Sequence, residues 1–505
     1  MGRLLSGVRS LLRNLWREEG SLGQQTVRAG VWVIGSAAVT NLLGIVQTIV
    51  LVRLLLPADF GVMGIAAFVL AAVTTFTETG VGAALVQRLE ISRRMVDTAW
   101  TIGLARSAAL FLLVFFAAPW VAGFYGGNLL ICPILRLVAL RFICHGLSNI
   151  GLTLWRKEMR FRRAEVFQAT TEALAVILTI IVAFFLRSAW ALAIGQVSLA
   201  ILKLVGSYVV HPYRPRLCWH WEDARLLMRF GRHMTLLNIC RFLKTQLDVV
   251  VAGKLVGMTQ LGFYKVAYAL SNLPTNWIAA TITGVTFPAL SKLQKDPARL
   301  RQAFLQVLGI NALAAIPAAF GLIVLSREIV AVVYGPKYIE TVPVFRVLCI
   351  YGLLRSLDAV YSPLFMGLDK PRLASITLAL NVGLMAALLY PLVHEYGIVG
   401  AAWSTLLPYV VTWPLSLWLA RRVTGARWRD FAARLGMPLF ASAGMGALLF
   451  LVKDALGTVR LAGLLALIGL GVVTYAGAVM LLAPESLPRR HMRDLVAEPE
   501  AVSEA

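Results

Sequence analysis

The sequence predicts an all-α polytopic membrane protein with about fourteen transmembrane helices, arranged as two parallel six-helix lobes followed by two further helices. Three observations carry this expectation. Of 505 residues, 59% are hydrophobic and 14% charged, and the mean hydropathy is +0.76, outside the range of soluble globular chains. Apolar runs recur at roughly 20 residues, enough for a helix to cross a hydrocarbon core of about 30 Å and far longer than barrel strands require. Basic residues, finally, alternate in density from loop to loop.

The elements follow in order. Residues 1–26 form a basic segment in which Leu4, Leu5, Val8, Leu11, Leu12, Leu15 and Trp16 recur at helical spacing. That pattern suits either a helix lying on an anionic leaflet or a solvated basic tail. The segment lacks a continuous apolar core and an A-x-A cleavage signal, so it does not read as a cleaved leader. The first lobe, residues 27–210, holds spans near 27–52, 60–86, 97–120, 131–155, 165–186 and 190–210. Residues 211–233, with Pro212, Pro215, Trp219 and Trp221, read as a linker. The second lobe, 234–420, holds spans near 234–256, 260–290, 301–326, 343–367, 371–393 and 398–419. Two more spans lie within 431–483, and 484–505 forms a polar tail.

The two lobes carry the same landmarks. Tyr125-Gly126 precedes Arg136 as Tyr334-Gly335 precedes Arg346, at offsets of 209 and 210 residues, and Arg163 matches Arg372 at 209. Leu55-Leu56-Pro57 leading to Phe60-Gly61 is echoed by Leu255-Val256-Gly257 leading to Leu261-Gly262. Six spans is an even number, so both copies enter the membrane in the same sense.

The net charge of +23 is distributed as a membrane protein requires. Loops on the side of the N-terminus hold 32 Lys and Arg against 7 on the other side, which the positive-inside rule reads as both termini cytoplasmic. Because the charge follows a membrane face, nucleic acid is excluded as a partner. Five cysteines show no CxxC spacing, and six histidines are scattered; neither set suits a metal site. No GxxxxGK[ST], HExxH or GxSxG motif occurs, so no cofactor is expected, and a coupling ion remains open.

Nine basic residues fall inside apolar spans: Arg106, Arg136, Arg141, Lys203, Arg241, Lys244, Lys265, Arg346 and Arg355. A cation at the bilayer centre costs at least ~2.5 to 3.5 kcal/mol, so it should face protein or water. Only Glu78, Glu172, Asp248 and Asp358 lie comparably deep. Lys244 with Asp248, and Arg355 with Asp358, sit at helical spacings that place each pair on one face. Those two pairs fit structural neutralisation or function equally. The surplus of positive charge suits an anionic substrate gripped through phosphate, for which guanidinium is the apt group. Arg106, Arg141, Arg241, Arg355 and Lys244 are the candidate binding residues. Arg136 and Arg346, nearer the outer end, are secondary, and the four acids are candidates for ion coupling.

The segment LLLPADFGVMGIAAFVLAAVTTFTETGVGAALVQR, Leu54 to Arg88, resembles the signature of Wzx-type oligosaccharide flippases. So does Phe230 to Phe304, with TQLD at 245–248, LGFYKVAYAL at 261–270 and FPALSKLQKDPARLRQAF at 287–304. The likeness is to the exopolysaccharide branch, similar to colanic-acid exporters, within the multidrug/oligosaccharidyl-lipid/polysaccharide superfamily. It implies a fold like that of the multidrug antiporters of that superfamily, two six-helix bundles with alternating access. It also implies transfer of an undecaprenyl-pyrophosphate-linked oligosaccharide to the periplasmic leaflet of a bacterial inner membrane. A monomeric transport unit, membrane lipids and polymerase or co-polymerase machinery are the implied associations. Two rivals stand beside this reading: a multidrug cation antiporter of the same fold, and a membrane glycosyltransferase or polysaccharide polymerase. Surplus interior arginine disfavours the first, and short outer loops with few carboxylates disfavour the second.

Overall fold

Backbone N–H and C=O groups in a hydrocarbon layer must be satisfied within their own segment, which makes long helices the natural answer to this sequence. A computed structural model describes residues 22–482 apart from 79, 82–83, 86–90, 159, 295 and 458–459. Most of the basic segment 1–26 and the whole tail 484–505 lie outside the described residues, as does the side chain of Arg241. Among the described residues the structure is all-helical. The elements are α1 (Leu22–Leu54), α2 (Pro57–Phe76), α3 (Arg93–Phe124), α4 (Ile131–Leu147), α5 (Gly151–Lys157), α6 (Phe161–Leu186), α7 (Ala189–Val210) and α8 (Trp221–Leu255). They continue as α9 (Gly257–Lys292), α10 (Pro297–Val324), α11 (Ser326–Ile329), α12 (Thr341–Asp358), α13 (Tyr361–Gly367), α14 (Pro371–Thr424), α15 (Trp428–Leu456) and α16 (Leu461–Leu482).

Nine of the described helices are long and apolar enough to cross a membrane. One of them, α14, has 54 residues and a break at Gly397, where φ 57° and ψ −134° leave helical geometry. It therefore supplies two arms. Four further helices fall outside the nine: α4 has only 17 residues, α8 and α12 carry several charges, and α9, though 36 residues long, is interrupted by polar side chains. Counting them with both arms of α14 recovers the fourteen segments expected from the sequence. Within the segment expected as a linker, residues 211–220 lie outside any helix and α8 begins at Trp221.

Helix starts follow local chemistry. Ser92 caps α3 by accepting from Met95 N–H at 3.1 Å, and Asp296 caps α10 through Ala298 and Arg299 N–H at 3.1 and 3.0 Å, with Pro297 in the first turn. Asp59 does more. Its carboxylate accepts from Leu56 N–H at the start of α2 and from Ala189 N–H at the start of α7, both at 2.9 Å. The duplicated Tyr-Gly landmarks also have a physical meaning. Tyr125 and Tyr334 are buried at helical ends, and the glycines that follow, Gly126 and Gly335, have φ of 82° and 93°, a region that side-chain-bearing residues seldom enter.

Contacts divide the chain into two units, residues 1–266 with 382–404, and 267–381 with 405–505. In the first, α3 packs on α4, α6 on α7, α1 on α6, α4 on α7 and α8 on α2. The crossing of α2 with the first turn of α9 is closest of all. A Cβ on Gly61 would stand 2.0 Å from the carbonyl oxygen of Met258, and one on Gly262 would stand 1.7 Å from that of Pro57. The two contacts are reciprocal, each glycine lying four residues after the carbonyl that the other touches. The extended residues 211–220 are fastened to the same unit. Tyr213 donates its hydroxyl to Asp97 at 2.7 Å, Asn149 donates to the Tyr213 carbonyl at 2.6 Å, and Cys218 N–H donates to Thr101 at 3.0 Å.

In the second unit α10 packs on α15 and α12, and α15 on α16. One core gathers Phe304, Leu308, Tyr361, Phe365 and Phe431, all nearly or fully buried. Another joins Leu325 and Ile329 to Met445, Leu449, Leu464 and Leu467.

Candidate functional site

Arg106 leaves α3 toward the C-terminal end of α2. Its guanidinium donates to the Thr74 carbonyl at 2.9 Å and to Thr77 Oγ1 at 3.2 and 3.3 Å, where a helix end presents unpaired oxygens to a cation. Arg141, the eleventh residue of α4, donates to Gln196 Oε1 of α7 at 2.7 Å and is otherwise exposed. One turn on, exposed His145 lies within electrostatic reach of Arg106, Arg141 and Lys203 together. Lys203 in turn meets Glu172 of α6 at 3.4 Å, and Gln168 donates to the same carboxylate at 2.8 Å. Glu172 and Gln196 also line a cavity of about 290 Å³ with Thr40 and Gln47 of α1. The first unit thus gathers three cations, one histidine and the carboxylate of Glu172 from α3, α4, α6 and α7, with Glu78 beyond α2 close enough for Arg106 to feel its charge.

A second charged group in this unit is buried. Asp248 of α8 is 2% exposed, accepts from the Tyr264 hydroxyl at 2.5 Å, and faces the charge of Lys265. The Lys265 stem crosses α2 at Gly64, where a Cβ would lie 3.1 Å from it. The other Asp248 oxygen has no hydrogen-bond partner among the described residues. A carboxylate so placed is held by its ammonium neighbour, and such a pair is costly to break from one side. Lys244 is half-buried on the same helix.

In the second unit, Arg355 of α12 is held among neutral polar groups. It donates to Asn272 Oδ1 of α9 and bonds Tyr351, with Tyr268 and Tyr409 also close enough to feel its charge. Tyr351 and Tyr409 meet edge-on at 5.4 Å, and the Tyr268 and Tyr351 hydroxyls are 3.4 Å apart. Asp358 accepts from Ser416 at 3.1 Å. Arg136 and Arg346 occupy matching places, each the sixth residue of its helix. Arg136 donates to the Phe115 carbonyl at 3.3 Å and sits 4.7 Å from the Phe115 ring centroid. Arg346 donates to Ser326 Oγ at 2.8 Å.

With the helices and their charges placed, the chain can be set beside known proteins. The polysaccharide biosynthesis protein family matches residues 50–343, more than half of the sequence. The chain belongs to that family. Proteins similar to it include the lipopolysaccharide biosynthesis protein WzxC of Escherichia coli (strain K12), 27% identical over 84% of this chain and 86% of that protein. The succinoglycan biosynthesis transport protein ExoT of Rhizobium meliloti (strain 1021) is 24% identical over 69% of this chain and 71% of its own length. Among solved structures, the lipid II flippase MurJ in an inward closed conformation superposes with a TM-score of 0.72 at 15% identity, covering 90% of this chain and 99% of MurJ. The family and the all-α membrane fold are those that the LLLPADFG and LGFYKVAYAL segments resemble.

Seen as a polysaccharide biosynthesis family member, the chain departs from its sequence-based reading in a few places. Glu78 falls outside a helix, because α2 ends at Phe76, and it stands exposed beside Thr77 within electrostatic reach of Arg106. Asp248 has Tyr264 and Lys265 beside it, two neighbours that helical spacing did not name. Gln196, Asn272, His145 and the three tyrosines around Arg355 carried no signal in the sequence. His145 and Tyr351 lie one turn from Arg141 and Arg355 on the same helices, whereas Gln196, Asn272, Tyr268 and Tyr409 are brought to those guanidinium groups by helices tens of residues away.

Proposed function

We propose that this protein flips an undecaprenyl-pyrophosphate-linked oligosaccharide from the cytoplasmic to the periplasmic leaflet of a bacterial inner membrane by alternating access, with both termini cytoplasmic. The observation that carries this reading is the gathering of Arg106 of α3, Arg141 of α4 and Lys203 of α7 around His145 in the last turn of α4. An exposed arginine eleven residues into such a helix faces water rather than lipid, since lipid would impose at least ~2.5 to 3.5 kcal/mol. A guanidinium whose bond goes to a neutral amide keeps its charge available for a phosphate. Family membership and the names of WzxC and ExoT support a substrate of polysaccharide assembly and a transporter rather than an enzyme. Surplus positive charge disfavours an antiporter of organic cations on the same fold.

In this reading Arg106 and Arg141 grip the diphosphate, with Arg241, Lys244 and Arg355 contributing at other stages of the cycle. Arg136 and Arg346 receive the substrate nearer the outer end. Glu172, paired with Lys203, is the leading ion-coupling acid, with Asp248, Asp358 and Glu78 behind it. A negative cell interior of about 100 mV favours outward movement of each negative charge by about 2.3 kcal/mol. Polymerase or co-polymerase machinery takes the product. The test is reconstitution in vesicles with a labelled polyprenyl-pyrophosphate oligosaccharide and measurement of its leaflet exchange. Exchange at the wild-type rate after joint neutralisation of Arg106, Arg141 and Arg355 would sink the cationic-site assignment.

A further inference from the structure

A second positively charged recess lies in the second contact unit, apart from the interior cations. A cavity of about 670 Å³ opens where the first arm of α14 begins and the second arm ends. Lys370, Arg372 and Arg422 bring three cations to it, and Asp369 brings one carboxylate, while Leu419 and Val423 belong to its apolar wall. The fold sets these groups in place. Asp369 takes the left-handed conformation at φ 56°, a region that Asp tolerates better than most residues. The Lys370 N–H closes the turn on the Phe365 carbonyl at 2.8 Å. Across the recess, the Arg422 guanidinium lies 3.8 Å from the Trp418 ring centroid, a contact that orients it and limits its freedom. All three cations are exposed, and none forms an ion pair with a carboxylate among the described residues.

Depth follows from length. The arms of α14, residues 371–396 and 398–424, each extend about 39 Å at 1.5 Å per residue, more than a hydrocarbon core of about 30 Å. Their ends therefore stand at headgroup level. Asn381 donates to Thr412 at 3.0 Å, which ties the arms together above the recess. We infer that this recess is a lipid site holding the phosphodiester of an anionic phospholipid, whose chains descend along the apolar wall. Three cations against one acid match one phosphate with charge to spare, and the open mouth admits a ligand laterally from the bilayer. Bulk phospholipid, present at far higher concentration than any lipid-linked intermediate, fills such a site by mass action.

The experiment titrates the full-length protein in detergent with phosphatidylglycerol and, separately, phosphatidylcholine, and reads bound lipid by native mass spectrometry. Phosphatidylglycerol binds more tightly to the wild type. Each removed charge weakens that binding by about fivefold, and Lys370→Gln/Arg372→Gln/Arg422→Gln together by on the order of a hundredfold. Arg372→Gln alone, at an exposed position, provides the single-step reading should the triple variant not fold. Equal affinity for the two lipids, or unchanged phosphatidylglycerol binding in Arg372→Gln, overturns the proposal. A third arm adds a polyprenyl diphosphate as competitor. Displacement at equimolar amounts assigns the recess to isoprenoid diphosphates and overturns the phospholipid assignment, whereas retention of phosphatidylglycerol supports it.

Discussion

Asp59 fastens two helix starts with one side chain, and it is 8% exposed. Removing a buried acceptor strands both donors, Leu56 N–H and Ala189 N–H, at about 1 to 3 kcal/mol each. Asp59→Ala should therefore lower the melting temperature in detergent by several degrees, and Asp59→Asn, which keeps one oxygen, by less. Arg141 makes a different kind of contribution. Its bond to Gln196 is replaceable, so Arg141→Gln should leave the melting temperature nearly unchanged while lowering the leaflet-exchange rate about tenfold or more, the worth of one charge-assisted phosphate contact. Arg141→Lys keeps the charge but not the planar fork and should fall between the two. A melting temperature that drops as far as the exchange rate would instead mark Arg141 as structural. The interior cations were legible in the sequence because a charge in an apolar run is visible locally. Their partners were not, since Arg141 and Gln196 are 55 residues apart, and Arg355 and Asn272 are 83.

At the scale of elements, the crossing of α2 and α9 is made of backbone. A methyl group on Gly61 or Gly262 has no flexible neighbour to displace, only a carbonyl at 2.0 or 1.7 Å, so the helices themselves must part. Gly61→Ala should destabilise by roughly 1 to 3 kcal/mol or more. Gly103→Ala in α3, where nothing lies within 4 Å of the added atom, should stabilise by roughly 0.5 to 1 kcal/mol. Thermal unfolding of the two variants side by side tests the contrast. The extended segment after α7 brings a pH dependence. His211 Nδ1 accepts from the Tyr213 N–H at 3.1 Å, and its ring fills the space beside Gly151. Burial, with Arg160 and Arg214 nearby and Glu158 opposing them, holds the imidazole below its ordinary value. The Tyr213 phenol is pushed up, first by burial and then by its bond to Asp97. Because the fold prefers neutral His211, its contribution is complete above the unfolded value of about 6.5 and declines as pH falls below it. Melting temperatures recorded from about pH 8 to about pH 5 should show a step in that window. The step should shrink in His211→Asn.

At the scale of the whole molecule, hydropathy made the membrane class and the all-helical fold readable, since both are sums over many residues and survive local errors. Breaks such as the one at Gly397 were less readable, because hydropathy continues on both sides of the turn. The orientation has a direct check. In a background lacking Cys132, Cys144, Cys218, Cys240 and Cys349, Lys337→Cys should react with an impermeant thiol reagent from outside the cell. Lys370→Cys should react only after permeabilisation, and the reverse pattern would invert the proposed topology. The Gly61 and Gly262 contacts have one more consequence. A patch in which each glycine meets the carbonyl presented by the other is self-complementary, the kind of surface by which identical subunits join about a two-fold axis. A half-length ancestor bearing it could have paired with its own copy, and joining two such chains end to end would preserve the joint while freeing each half to change.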